Sequence, residues 1–530
     1  MHSSSRTALR AALAGLALTA ACFARTAQAA DEDTSKPAPA PAPPAEGTAP
    51  AEPPAAATPT PAPAKPATPT AAAAAAPPKE EPKEAAPKSN APPGEEAEGF
   101  HFGSYGRVRA ATDMRGGGPQ YANIVAHGSR LDSEPYAELE LRNTQYPEKG
   151  MRLRVISTLA FAGDPFHYTG KFETKLAIRN LFVDVRGIGL PGLTLWAGSR
   201  MYRGDDIYLL DFWPLDNLNT VGGGAILDAT KSTRVQIHVG TNRLIDGSFQ
   251  YQERQLPSPT GVGSVSAQTL NRPRTIVSGK ITQFFPDNQA RQGFKVSLHA
   301  EGHLLPSGVL ESSTTTVRSP TYLPADNGFV IGAQATPYGF GDRDGFAHLF
   351  VRYARGIAAY GDLSTPFGLN GERRASGASE FLVAAASNFQ VDRFAVLTGA
   401  YLRRFNDASS AVYSVNKFWE GILSVRPYVY TSEHTGIAVE GSYQYRNANV
   451  LDNWGKHRVP QVARFSLLPF VTPWGWGTFR RPILFALYTA TARNESARLM
   501  YPTDDPRSTR SVEHYVGIGA EWWFNSSSYP

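Results

Sequence analysis

From Phe100 to Phe524, apolar and polar residues alternate with a period of two in short segments. Along 512–524, Val512, His514, Val516, Ile518, Ala520, Trp522 and Phe524 form one face, and Glu513, Tyr515, Gly517, Gly519, Glu521 and Trp523 the other. The same holds for Tyr136, Glu138, Glu140 and Arg142 against Ala137, Leu139 and Leu141, and for Phe346, His348, Phe350 and Arg352 against Ala347, Leu349, Val351 and Tyr353. Period two is the signature of a strand with two unlike faces, so the pattern predicts antiparallel β-structure nearly throughout. No apolar run reaches the roughly 18 residues of a membrane-spanning helix, and no long 3.6-period stripe appears.

Two architectures fit such alternation. A soluble sandwich or propeller would put the apolar face on a core; an outer-membrane barrel would put it on lipid. The apolar faces end in Tyr, Trp and Phe, the girdle composition of a lipid interface, and the last strand closes on Trp522-Trp523-Phe524, which favours the barrel. At roughly 20–25 residues per strand with its connections, the segment 100–530 predicts about 16 to 20 strands around a water-filled lumen.

Composition divides the chain at residue 99. Residues 31–99 hold 19 of the 42 prolines and no aromatic residue, and include the alanine run Ala71 to Ala76. Too little apolar surface is present there to offset chain entropy, so 31–99 reads as a disordered, polyproline-rich periplasmic linker. Residues 1–30 read as a secretory signal peptide: Arg6 and Arg10, the apolar run Ala11 to Ala21, then Ala27-Gln28-Ala29-Ala30. Lipoprotein processing at Cys22 is the competing reading of that leader. Cys22 is the only cysteine, which leaves the mature chain without a disulfide or a thiolate metal site. The barrel segment carries 44 Lys and Arg against 36 Asp and Glu, interspersed, with no basic run of the kind that binds nucleic acid.

Motifs with catalytic overtones are weak. Gly187-Ile188-Gly189-Leu190-Pro191-Gly192 matches a dinucleotide fingerprint literally, but Pro191 and a strand-like segment follow where a helix is needed, so it reads as a tight turn. The eleven histidines show no zinc-ligand spacing. Asp205-Asp206 are adjacent carboxylates whose side chains should diverge. No cofactor is expected.

The segment from Trp196-Ala197-Gly198-Ser199-Arg200-Met201-Tyr202 through Asp205-Asp206 to Asp211-Phe212-Trp213 resembles the maltoporin family of carbohydrate porins, in which such a strand runs into a loop that folds into the channel. Phe102-Gly103-Ser104-Tyr105-Gly106-Arg107, Arg130-Leu131, Gly345-Phe346, Arg426-Pro427, Arg481-Pro482 and the closing Gly519 to Phe524 are further matches, spread over most of 100–530. The resemblance implies an 18-stranded barrel of the bacterial outer membrane, a homotrimer, with a constriction loop in the lumen. It implies an aromatic track at Tyr105, Tyr136, Phe346, Phe479 and Trp523. A polar ladder and constriction are implied at Arg107, Arg130, Glu138, Arg179, Asp206, Asp211 and Trp213, with Phe166 or His167 as the aromatic a neighbouring subunit supplies. Trp213 stands where the family usually has tyrosine, and Gly204 where it often has arginine.

The alternation supports the track independently: Tyr105 shares a face with Arg107, Tyr136 with Glu138, and Trp523 with Glu521, and aromatics beside charges belong on the lumen side. The expected function is passive diffusion of maltodextrin-like or other oligosaccharides. The alternatives are a general or anion-preferring diffusion porin, suggested by the +8 charge balance of 100–530 and by Arg107, Arg109, Arg352 and Arg446, and an outer-membrane barrel enzyme.

Overall fold

The structure, a computed structural model, describes residues 95–526 apart from 116, 118–122, 243–250, 258–263, 271, 311–320, 342–344, 362–365, 411–415 and 449–454. The proposed leader and nearly all of the linker lie outside the described residues. In chain order the strands are β1 (Gly99–Asp113), β2 (Tyr136–Gln145), β3 (Arg152–Ala162), β4 (Lys175–Arg186), β5 (Leu193–Arg203), β6 (Asn217–Asp228) and β7 (Thr233–Asn242). A small hairpin of β8 (Tyr251–Pro257) and β9 (Ser264–Leu270) precedes β10 (Arg274–Phe285) and β11 (Gly293–Leu305), and a second, β12 (Gly308–Leu310) with β13 (Thr321–Leu323), precedes β14 (Asp326–Phe340). Then follow β15 (Gly345–Gly356), β16 (Ser379–Val391), β17 (Phe394–Asn406), β18 (Lys417–Tyr430), β19 (Thr435–Ala448), β20 (Gln461–Val471), β21 (Ile483–Arg493) and β22 (Val512–Phe524).

Apart from the two hairpins, these form one 18-stranded antiparallel sheet. It closes on itself because β1 pairs with both β2 and β22, in the second case from Ser104 opposite Phe524 to Asp113 opposite Tyr515. Connections at the rim where β1 begins are short, such as 392–393 and 431–434; those at the other rim are long, such as 114–135 and 357–378. The glycine-rich decoy is one of the short turns, between β4 and β5, with Gly187 and Gly189 at positive φ where a side chain would be strained. At the same rim the chain enters under restraint, since the Glu96 carboxylate pairs with Arg142 at 2.5 Å and accepts from Thr144 at 2.8 Å.

Burial is inverted relative to a water-soluble protein. Leu141, Leu298, Ile331, Leu349 and Ile518 stand exposed on the outer wall, whereas Glu140, Thr158, Glu380, Glu420, Glu440 and Ser466 are buried on the inner one. Phe102 meets Phe524, and Phe285 meets Phe294, at the entry-rim ends of their strands, where an aromatic girdle belongs. The apolar core that does exist lies inside the barrel. Ile207, Leu210, Phe212 and Leu215, from the connection between β5 and β6, pack with Ile124 and Val125 against Ala384, Ala386, Tyr401 and Ile422. Glycines on the wall make room for them: a Cβ on Gly399 would lie 2.7 Å from Ile207 Cγ2, and one on Gly332 would lie 2.3 Å from Leu215 Cδ1.

Candidate functional site in the lumen

The connection 204–216 is a loop pinched at its base and pinned along its length. Gly204 N–H donates to the Asp216 carbonyl at 3.1 Å, and a Cβ on Gly204 would lie 1.8 Å from Asp216 Oδ1, which accounts for glycine at the position where arginine was the family expectation. Asp216 pairs with Lys280 at 2.9 Å and Asp205 with Lys295 at 2.7 Å, and Arg352 donates to the Pro214 carbonyl at 2.6 Å. The tip crosses to the seam of β1 and β22. There Asp211, at φ 50°, accepts from Arg107 at 2.9 Å and from Arg130 at 2.8 Å. Four of the expected ladder residues therefore meet in one network, because Asp206 adjoins the same charges and its carboxyl responds to Arg130 and Asp211.

Three members of that network were not singled out from sequence. Glu521 takes Arg130 at 2.7 Å and Arg481 at 2.9 Å, and the Tyr208 hydroxyl donates to it at 2.5 Å. Alternation places Glu521 on the Trp523 face, and Arg481 belongs to the Arg481-Pro482 motif, so both carry a sequence signal. Tyr208 had none beyond its place in the loop, since its partner is 313 residues away. A second inward segment supports the arrangement: His127 stacks on Phe212 at 3.8 Å between ring centroids, Ser129 donates to Glu440 at 2.5 Å, and Asp132 pairs with Arg464 at 2.6 Å.

The five aromatics expected on the track lie along one continuous run. Tyr136 and Tyr105 are 5.8 Å apart between centroids, Tyr105 and Trp523 6.5 Å, and Phe479 and Phe346 6.1 Å. Tyr208 joins the two halves, at 6.2 Å from Trp523 and 5.4 Å from Phe479. The run is not uniformly open. Tyr105 is 2% exposed and Tyr208 5%, while Tyr136, Trp523, Phe479 and Phe346 are half-buried and present ring surface to the lumen. Charges border it: Arg107 and Arg179 lie over the Tyr136 ring at 5.6 and 5.7 Å, Arg481 lies over Trp523 at 4.3 Å, and Glu138 accepts from the Tyr136 hydroxyl and faces Arg179 at 3.7 Å. Trp213 is set apart from the run, with Arg203 stacked on it at 3.9 Å. His167 is exposed on a one-turn helix, Phe166–Thr169, and the Phe166 side chain lies outside the described residues.

The adjacent carboxylates diverge as expected, and their protonation diverges with them. Burial opposes ionisation of Asp205, but Lys295 outweighs it and holds that carboxyl well below the usual range. Burial likewise opposes ionisation of Asp211 and is outweighed by Arg130 and Arg107, which bring it down to about 2. Asp206 has no such partner among the described residues: its Oδ2 is buried and accepts no hydrogen bond from them, and burial together with Asp211 and Asp205 raises it to about 7 against the opposing pull of Arg130. Between the ordinary carboxylate value of 3.8 and about 7, the folded protein holds a proton there that the unfolded chain releases, so this site's stabilisation is full below that window and lost as pH rises through it. The loop also gains one negative charge over the upper end of the window. Anion permeability relative to cation permeability is thus expected to fall between pH 6 and 8, as read by reversal potentials in a salt gradient, and Asp206→Asn should flatten that step. An unaltered step in the variant would assign the titration elsewhere.

Comparison with known proteins places this lumen. Residues 100–524, the whole barrel, match the LamB porin family. A maltoporin of Hahella chejuensis is 28% identical over 119 residues, which is 21% of this chain and 30% of that relative's length. Among solved structures, the outer membrane channel DcaP of Acinetobacter baumannii is similar at a TM-score of 0.43 and 10% identity, over 80% of this chain and 98% of that one. An anion-selective porin from Comamonas acidovorans is similar at a TM-score of 0.37 and 10% identity, over 80% and 99%. With the family match running the length of the closed 18-stranded barrel, the chain belongs to the LamB porin family and is a β-barrel protein of the bacterial outer membrane.

Proposed function

We propose that the channel is a sugar-selective porin, passing oligosaccharides of the maltodextrin type down their gradient. The observation that carries this reading is the unbroken ring sequence Tyr136, Tyr105, Trp523, Tyr208, Phe479, Phe346 with guanidinium and carboxylate groups along its edge. A pyranose has apolar C–H faces that stack on rings and hydroxyls that need donors and acceptors. Each such contact is worth about 1 kcal/mol, so a sugar is guided from ring to ring without being trapped. In this reading Tyr136, Trp523, Phe479 and Phe346 touch the sugar, and Tyr105 and Tyr208 hold the rings above them. Arg107, Arg130, Glu138, Arg179, Asp206 and Asp211 form the polar border and constriction.

The alternative of a general or anion-preferring diffusion pore rests on the excess of eight positive charges in 100–530 and on four arginines. Arg107 is neutralised by Asp211, Arg352 by Glu380 at 2.5 Å, and Arg446 faces Glu420 at 3.5 Å, which weakens the second of these grounds. The reading extends to a homotrimer in outer-membrane lipid, preceded by a signal peptide (1–30) and a Pro/Ala-rich periplasmic linker (31–99).

Planar-bilayer conductance of the purified protein with and without maltodextrins tests it. Sugar-dependent block of the ion current is expected, and Tyr136→Ala should weaken that block by about tenfold, the loss of one to two stacking contacts, while ion current persists. Current indifferent to every neutral sugar tried would overturn the reading.

A further inference from the structure

A second chamber opens on the other side of the constriction loop, against the wall made by β4, β5, β7, β10 and β11. Its volume is about 510 Å³, within the range that holds a ligand of one or two sugar rings. Its charge is one-sided. Arg200, Arg203, Arg234, Lys280 and Lys295 line it, with Asp205 as the acid among them. Three of these cations have carboxylates of their own: Lys295 has Asp205 at 2.7 Å, Lys280 has Asp216 at 2.9 Å, and Arg234 has Asp228 at 2.7 Å.

Arg200 has none. Its guanidinium is propped over three rings, at 4.6 Å from Phe182, 5.0 Å from Trp196 and 5.3 Å from Tyr202, and it makes no hydrogen bond or ion pair among the described residues. Asp184, on the adjacent strand, is held by Arg154 at 2.5 Å. The rings beneath are themselves ordered, Trp196 on Tyr202 and on His238 at 5.9 and 5.6 Å, and Trp196 lies flat against Gly224, where a Cβ would come within 2.7 Å of its indole nitrogen. With its N–H groups taking no acceptor among the described residues, this guanidinium can offer a carboxylate two parallel hydrogen bonds. Trp213, half-buried on the same lining with Arg203 over its ring, is the aromatic surface left there for a sugar ring.

We propose that this chamber binds acidic saccharides, sugars bearing a carboxylate such as oligouronates, with Arg200 as the residue that takes the carboxylate. This deepens the sugar-porin reading and rests on it for the saccharide part. A neutral dextrin meets the aromatic run; an acidic one finds a cation without a partner on the other side of the loop.

The test is bilayer current block of the full-length protein by maltotriose, trigalacturonate and glucose 6-phosphate at fixed salt. Trigalacturonate is expected to block with at least tenfold higher affinity than maltotriose, and higher KCl should weaken it, as screening requires. Arg200→Gln should lower the preference for trigalacturonate over maltotriose about tenfold, and Arg200→Lys, which keeps the charge without the planar fork, should lower it less. Single-channel steps of ordinary size report that each variant has formed its barrel. Equal block by acidic and neutral trisaccharides, or a preference unchanged in Arg200→Gln, would overturn the inference while leaving the neutral-sugar reading standing. Block by glucose 6-phosphate as strong as that by trigalacturonate would overturn the carboxylate assignment. Block by trigalacturonate alone, lost in Arg200→Gln, would support the inference and sink the maltodextrin reading instead.

Discussion

Glu521→Ala is expected to destabilise the barrel by about 3–5 kcal/mol, the range for removing one partner from a buried ion cluster. Its carboxylate stands between Arg130 and Arg481, whose side chains are 4% and 2% exposed, and it also accepts from Tyr208. Without it, Arg130 keeps Asp211, but Arg481 keeps no carboxylate among the described residues, only the Tyr208 hydroxyl, the carbonyls of Thr478 and Arg480 and its contact with the Trp523 ring. Glu521→Gln keeps the volume and removes the charge, so a similar loss in both variants would locate the effect in electrostatics rather than in a cavity. The temperature at which the folded band disappears on electrophoresis without boiling is the measurement. A wild-type transition in Glu521→Ala would mean that the cluster adds nothing net to the fold.

A second large effect is expected at Gly399. The constriction loop lies against this residue so closely that a Cβ would meet Ile207 Cγ2 at 2.7 Å and Leu209 Cβ at 3.3 Å. Gly399→Val leaves the strand a better β-former and drives two methyl groups into the loop. Overpacking of this kind costs about 1–3 kcal/mol, and the loop, anchored by side chains rather than by a sheet ladder, is what yields. Single-channel conductance should rise severalfold with noisy, fluctuating levels, while thermal resistance of the barrel changes little. Unchanged conductance would mean that this contact does not set the width of the pore.

The barrel was legible because lipid outside and water inside impose the same two-residue period on every strand. Leu139 and Leu141 face out and Glu138 and Glu140 face in, as their spacing required. The inward direction of Tyr105, Tyr136 and Trp523 followed from the charges beside them. What the spacing could not carry were pairings across the lumen. Tyr208 with Glu521, His127 with Phe212 and Ser129 with Glu440 join residues whose proximity depends on where two loops lie, and loops have no period to read. The buried state of Tyr105 was hidden for the same reason, since Arg130, at 5.7 Å from its ring, arrives from the connection after β1. Arg200 carries no sequence signal beyond its place in the Trp196–Trp213 motif, because the lack of a carboxylate beside it among the described residues is a property of its surroundings.

The pairing of β1 with β22 also bears on the order in which the molecule can form. The first strand made is half-satisfied until the last one exists, so the ring cannot be completed progressively from the amino end. Contacts spanning nearly the entire barrel segment are the slowest kind to find, and until they form both terminal strands present open backbone edges to one another and to any other chain. Assembly of this protein is thus a single late event that waits for the final thirteen-residue strand, and a chain cut short before it would be left as an open sheet with a sticky margin.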